Sequence, residues 1–164
     1  MSDDHGRTLR IEPPGVLPLD LAYDAQGRVV TVTQGERVLT YTYTDKGYLG
    51  SVNDPLDRTA SFARDDAGRP LSTTLPGART ITVGFDANDN PTSVIPPGKP
   101  AHTFGYTIDD LLEKATAPSN PPASYAYDGD RAPVLATRED GSTITLGYDV
   151  AGRWAKTTYP QGEI

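Results

Sequence analysis

Tyr23-Asp24-Ala25-Gln26-Gly27-Arg28 and Tyr148-Asp149-Val150-Ala151-Gly152-Arg153 are two renderings of one six-residue phrase, and the interval between them decides the fold. Related phrases start at Ser2, Tyr43, Arg64, Phe85, Tyr106 and Tyr127, so the successive spacings are 21, 20, 21, 21, 21, 21 and 21 residues. Six of these eight anchors precede an aspartate (Asp3, Asp24, Asp65, Asp86, Asp128, Asp149), and five have glycine four residues on (Gly6, Gly27, Gly47, Gly68, Gly152). Motif and period agree independently over the whole chain, which establishes an internal repeat array.

Each unit reads as one β-hairpin. Two residues before the anchors stand Leu21, Tyr41, Phe62, Val83, Phe104, Tyr125 and Leu146, and four before stand Leu19, Leu39, Ala60, Ile81, His102, Ala123 and Ile144. Alternation of period two marks a strand with one face better covered than the other. Thr40, Thr42, Thr80, Thr82, Thr143 and Thr145 fall on the opposite phase. The Asp-x-x-Gly that follows makes a bulged turn, because Asp can accept from the backbone two residues on and Gly supplies the positive φ. A second strand follows, as at Val29 to Thr33, Leu71 to Leu75 and Trp154 to Thr158. Pro70, Pro91 and Pro133 open such strands, where a missing N–H does least harm to the ladder. Seven full units give about fourteen strands, and twist of roughly 20–25° per strand should coil so long a meander. The expected fold is therefore all-β, a coiled antiparallel meander of about seven 21-residue hairpins.

Composition agrees once the right residues are counted. Leu, Ile, Val and Phe make up only 32 of 164 residues, a level that elsewhere suggests disorder. Twenty Thr and nine Tyr supply the missing strand formers. Lys+Arg 15 against Asp+Glu 22 leaves a net charge of −7 without a basic run, which argues against nucleic acid as a partner. Cysteine is absent, excluding disulfides, thiolate nucleophiles and cysteine-ligated metals. No apolar run approaches the eighteen or so residues of a membrane span, and the acidic start Met-Ser-Asp-Asp-His is no signal peptide.

Thr107-Ile108-Asp109-Asp110-Leu111-Leu112-Glu113-Lys114 contests the ruler, since Thr107 as N-cap followed by Asp110 has the form of a capped helical turn. The flanking phase is unbroken and so short a helix is marginal, so the segment reads rather as a loop or insertion. Both ends of the chain read as cuts through a longer array: residues 1–164 form a single repeat domain whose next anchor would fall at 148 + 21. Unpaired edge strands near Thr8 to Ile11 and Trp154 to Thr158 are then expected to favour self-association.

Candidate chemistry is sparse. Asp86-Ala87-Asn88-Asp89-Asn90 opens like a calcium loop, but Pro91 stands at position six and Pro97 at position twelve, so it reads as turn chemistry. His5 and His102 are far apart in a repeat fold, and His102 falls on the inward phase, where it reads as a satisfied core histidine. The acid pairs Asp3/Asp4, Asp65/Asp66 and Asp109/Asp110 recur at one phase and point apart, so they suit turns better than a two-carboxylate site. Arg28, Arg69 and Arg153 should satisfy turn carbonyls or pair with neighbouring acids rather than serve as anion sites. No catalytic, cofactor or metal residue is assigned, and the chain is read as no enzyme. The row Tyr23, Tyr43, Tyr106, Tyr127 and Tyr148 is either a hydrophobic layer of a wall or a platform for glycans, whose apolar ring faces pack on aromatics.

The Tyr-Asp-x-x-Gly-Arg phrases at 23–28 and 148–153, the degenerate Arg-Asp-Asp-Ala-Gly-Arg at 64–69, the Tyr-x-Tyr pairs 41/43 and 125/127 and the period near 21 together resemble the YD repeats of Rhs-type proteins. The resemblance covers essentially the whole chain. It implies a long antiparallel ribbon that spirals into a hollow shell around a variable C-terminal toxin, similar to shells of teneurins and insecticidal toxin complexes. The implied function is a structural segment of a β-shell that encapsulates a toxin or effector domain. Its implied partners are the remainder of a larger Rhs-like chain and the enclosed toxin, and its implied setting is a secreted or cell-surface bacterial protein. The Asp-Pro- and Gly-rich segment that closes such shells is missing from these residues. The alternative function is an adhesion module that binds glycans or a partner surface.

Overall fold

A computed structural model describes residues 1–163. Among them there is no helix, and strand order follows chain order. The chain divides into two compact units, residues 1–81 and 82–164, with the boundary inside one strand. The first unit carries β1 (Arg10–Ile11), β2 (Leu19–Tyr23), β3 (Val29–Gln34), β4 (Arg37–Tyr43), β5 (Leu49–Asn53), β6 (Thr59–Arg64), β7 (Pro70–Leu75) and the start of β8 (Arg79–Phe85). The second carries the rest of β8, then β9 (Pro91–Ile95), β10 (His102–Tyr106), β11 (Leu112–Thr116), β12 (Ala123–Tyr127), β13 (Pro133–Thr137), β14 (Thr143–Tyr148), β15 (Trp154–Tyr159) and β16 (Gly162–Glu163). The fourteen strands expected from the repeat are β2 to β15; two-residue strands flank them.

Pairing is antiparallel from β1 to β7 and again from β8 to β16. Each of the seven anchors from Tyr23 to Tyr148 sits at a register shift, between Ala22 and Tyr23, Thr42 and Tyr43, and so on through Gly147 and Tyr148. The bulge is what the extra residue of the Asp-x-x-Gly turn requires, and it bends the strand so that the anchor side chain leans toward the previous hairpin.

The apolar phase holds. Leu21, Val32 and Leu39 are cross-strand neighbours, as are Tyr41, Val52 and Ala60. In the second unit the rows are Phe104, Ala115, Ala123 and Tyr125, Ala136, Ile144. All of these are half-buried, whereas Ala22, Thr42, Ala63 and Ala126 on the other phase are exposed. Cross-strand pairs of this kind contribute roughly 0.2–1 kcal/mol each. They are the main packing available, because among the described residues no apolar side chain is fully buried and only Thr157, at 7% exposed, falls in that class.

One alternative falls away and one expectation is corrected. Thr107 to Lys114 forms the same turn as its sister units: Thr107 Oγ1 accepts the N–H of Asp109 at 3.3 Å and of Leu111 at 3.1 Å, and β11 follows. The repeat phase outweighs a local capping signal whose isolated helix would be marginal. His102 is exposed on β10, since a single layer of sheet has no interior to enclose it.

Candidate functional site

The chain's recurrent structure is a joint between successive hairpins, built from the anchor, the aspartate after it and the residue four further on. In the turn after β2, Asp24 N–H donates to Arg28 O at 2.9 Å and Gly27 N–H donates to Asp24 O at 3.0 Å. Gly27 takes φ 81°, where a Cβ would clash with the backbone. Asp24 Oδ1 accepts the N–H groups of Gln26 and Arg28 at 3.0 and 2.9 Å, and Oδ2 accepts Arg28 Nε at 2.7 Å. One carboxylate thus satisfies two backbone donors and holds a guanidinium. Asp3/Arg7, Asp65/Arg69 and Asp149/Arg153 repeat the clip with Nε to Oδ2 distances of 2.6, 2.6 and 2.8 Å.

These bonds favour the ionised acid. At Asp24 partial burial pushes the pKa up, but hydrogen bonds from the backbone and side chain of Arg28 and its charge outweigh this and leave it below the ordinary value. Asp3 behaves alike with Arg7. At Asp65 the side-chain bond from Arg69 is the leading cause of the lowering, and at Asp149 it is the backbone bond from Arg153.

The anchor tyrosines complete the joint. Each reaches back and donates its hydroxyl to the carbonyl six residues after the preceding anchor: Tyr23 to Thr8 at 2.7 Å, Tyr43 to Val29 at 2.8 Å, Tyr106 to Pro91 at 2.9 Å, Tyr127 to Leu112 at 2.8 Å and Tyr148 to Pro133 at 2.9 Å. At Tyr106 burial, with the charge of Asp86, raises the phenol pKa. Arg7 then lies over the ring of Tyr23, 5.0 Å from its centroid, and Arg28 over Tyr43 at 4.4 Å. So the arginine clipped in one turn covers the tyrosine of the next. One joint is inverted. Tyr48 stands in the arginine position, the next anchor is Arg64, and the guanidinium lies 5.6 Å from the ring centroid. Arg64 Nη1 also donates to Gly68 O at 2.9 Å.

Of the two roles the sequence left open for Arg28, Arg69 and Arg153, turn carbonyls or acids, the structure shows the pairing with acids. Sequence reasoning missed both the hook of each Tyr hydroxyl and the stacking of arginine on the following ring. It also missed that Asp54 and Arg58, on the opposite edge, form the same clip at 2.7 Å. The Asp and Arg four apart were the available signal.

The other candidates resolve into turns. Asp86 Oδ1 accepts the N–H groups of Asn88 and Asn90 at 2.9 Å each. The side-chain amides of Asn88 and Asn90 donate to Asp110 Oδ1 at 2.9 and 2.7 Å, linking this turn to the next. Among the described residues no group of three or more His, Asp or Glu is placed to hold a metal. In the acid pairs, Asp66 takes Lys46 Nζ at 2.6 Å and Asp109 takes Arg131 at 3.1 Å, again turn to turn. His5 is exposed and its N–H donates to Asp3 Oδ1 at 2.9 Å. The tyrosine row has its hydroxyls donating to backbone carbonyls, and the rings of Tyr23 and Tyr43 are covered by arginine.

The family model described as Teneurin YD-shell matches residues 1–164. No curated protein matches the chain. Among solved structures it is similar to a TccC3 mutant form of the Photorhabdus luminescens Tc holotoxin pore, at TM-score 0.61 and 14% identity over 95% of this chain. It is also similar to TcdB2-TccC3, at TM-score 0.50 and 10% identity over 98% of the chain, and to TcdB2-TccC3 without its hypervariable C-terminal region, at 0.50 and 14% over 96%. At these identities the likeness is one of fold. The chain spans only 12%, 13% and 11% of those three chains.

Proposed function

Because the chain belongs to the teneurin YD-shell family, we propose that it is a structural, non-catalytic wall segment of a longer protein whose shell encloses a toxin or effector domain. The observation that carries this reading is the joint. It repeats along the chain, spends its tyrosine hydroxyls and most of its arginines on neighbouring turns, and converges no nucleophile and base on one point. A wall needs many equivalent seams, and a catalytic site needs one unusual constellation. Residues 1–164 are on this reading one uninterrupted part of the array, the rest of the shell and its cargo are its partners, and the whole is secreted or displayed at the cell surface.

The test uses the longer protein expressed whole and exposed to a broad-specificity protease. The effector region resists cleavage in the intact protein and becomes sensitive when residues 1–164 are deleted. Equal digestion of both forms would overturn the proposal. A glycan array with the 164-residue chain addresses the adhesion alternative: specific binding abolished by Tyr106→Ala and Tyr127→Ala would replace the wall reading with it.

A further inference from the structure

Six anchors are followed by aspartate, and in five of those units the residue four further on bonds back to it: Arg7, Arg28, Arg69 and Arg153 through Nε, Asn90 through its amide at 3.2 Å. The sixth is Asp128, and its counterpart is Ala132. Where Thr44 or Thr107 replaces the aspartate, Tyr48 or Leu111 replaces the arginine, so Asp128 with Ala132 is the mismatched pair. Asp128 Oδ1 is used as elsewhere, accepting the N–H groups of Asp130 and Ala132 at 2.9 Å. Its Oδ2, the oxygen that takes Nε in the sister turns, has no donor among the described residues, and the side chain is exposed.

The space an arginine would fill is open as well. In the sister joints Arg7 Nη1 lies 3.3 Å from the point where a Cβ on Gly27 would stand, and Arg28 Nη1 lies 3.5 Å from that point on Gly47. At Gly152, the equivalent glycine, nothing lies within 4 Å of it. A cavity of about 440 Å³ occupies the place, its lining including Asp128, Asp130, Ala132, Tyr148, Asp149 and Gly152. Asp149 is already held by Arg153, and Arg131 is drawn away to Asp109.

We propose that this notch between the β12–β13 and β14–β15 turns receives the guanidinium of an arginine presented by another polypeptide. The ring of Tyr148 supplies the face on which a planar cation stacks, and Asp128 Oδ2 supplies the charged acceptor. The chain itself displays the bound geometry twice, in Arg7 over Tyr23 and Arg28 over Tyr43. Lysine fits less well, because a compact ammonium cannot stack flat and hydrogen-bond the carboxylate in one plane. The notch goes beyond the wall reading and does not depend on it.

The experiment titrates the 164-residue chain with the blocked tripeptides Gly-Arg-Gly, Gly-Lys-Gly and Gly-citrulline-Gly while the Ala132 methyl and Tyr148 ring protons are followed by NMR. Saturable shifts are expected with the arginine peptide, weaker ones with lysine and none with citrulline. Ala132→Arg fills the notch from within and abolishes the response, in a turn whose sister sequences already accommodate arginine. Asp128→Asn weakens binding by about fivefold, the upper end for an exposed ion pair. Shifts that fail to saturate, that citrulline reproduces, or that survive in both variants overturn the proposal.

Discussion

Exchanging the inverted joint back to the common order is the most informative perturbation of this fold. Tyr48→Arg alone sets two guanidinium groups against one another. It removes a cation–π contact of about 0.5–1 kcal/mol and adds like-charge repulsion of about 1 kcal/mol at close range in water. Arg64→Tyr alone loses the same contact and the bond from Arg64 Nη1 to Gly68 O, but can donate its new hydroxyl to the carbonyl of Leu49, the residue equivalent to Thr8 and Val29 in the other joints. A neutral hydrogen bond of that kind is worth about 0.5–1.5 kcal/mol, so this single change should be nearly neutral. Together the two substitutions rebuild the stack and the hook of Arg28 and Tyr43, without the carboxylate clip, since Thr44 stands where Asp24 does. The double variant is therefore expected to be as stable as the parent or more so, with a coupling of about 1–2 kcal/mol between the sites. Gly68 leaves room for either arrangement, since a Cβ there would stand 2.5 Å from Tyr48 Oη. Urea unfolding followed by tyrosine fluorescence and by far-UV circular dichroism gives the four stabilities. Two probes are needed because arrays need not unfold in one step. Additive effects, with the double variant carrying the full loss of Tyr48→Arg, would refute the claim that arginine and tyrosine act as one seam.

Gly68→Ala should destabilise more than Gly77→Ala, because both have φ above 80° but only Gly68 has a ring pressed against it; the common left-handed cost is about 1–2 kcal/mol, and equal effects would remove Tyr48 from the joint. The clipped carboxylates at Asp24, Asp54 and Asp65 have pKa values lowered on folding, by the bonds from Arg28, Arg58 and Arg69 after any burial is overcome. Their contribution is complete above the usual aspartate value near 3.9 and is lost as pH falls through the folded value, so stability should drop below about pH 4. Asp24→Asn should flatten that drop in a pH series of melting curves. Tyr43→Phe should lose about 0.5–1.5 kcal/mol by leaving the Val29 carbonyl without its donor. Finally, among the described residues β15 pairs with β16 at Thr158 and Tyr159, so in the 164-residue chain the outer edge before them should recruit further strands; sedimentation should show concentration-dependent association, and Thr157→Pro should reduce it.

The hairpins were legible because three sequence signals repeat with one period: the alternation ending at Leu21 and Tyr23, the Asp24 turn and the Gly27 position. The bulge followed from the same turn. Partner choice was less legible. That Tyr43 donates to Val29, and that Arg28 covers Tyr43 when its own anchor is Tyr23, depends on how far each strand twists past its neighbour, which no local pattern states. The three turns with Asp89, Asp110 and Arg131 in the glycine position, at φ 69°, 61° and 65°, also hid the period's regularity. There the register is imposed by the flanking strands, and the side chains of Asp110 and Arg131 reach to the preceding turn. Covering of the apolar face was overestimated at His102, because alternation reports which side of a strand a residue takes and says nothing about whether a second layer lies over it.

The most direct measurement of the central claim is an electron cryomicroscopy map of the longer protein proposed to contain this chain. The wall account predicts that β2 to β15 run as consecutive strands of a closed shell, with further strands continuing beyond them and one face turned toward an enclosed polypeptide. A map in which residues 1–163 stand apart as a free module, with solvent against both faces and no lumen beside them, would contradict it.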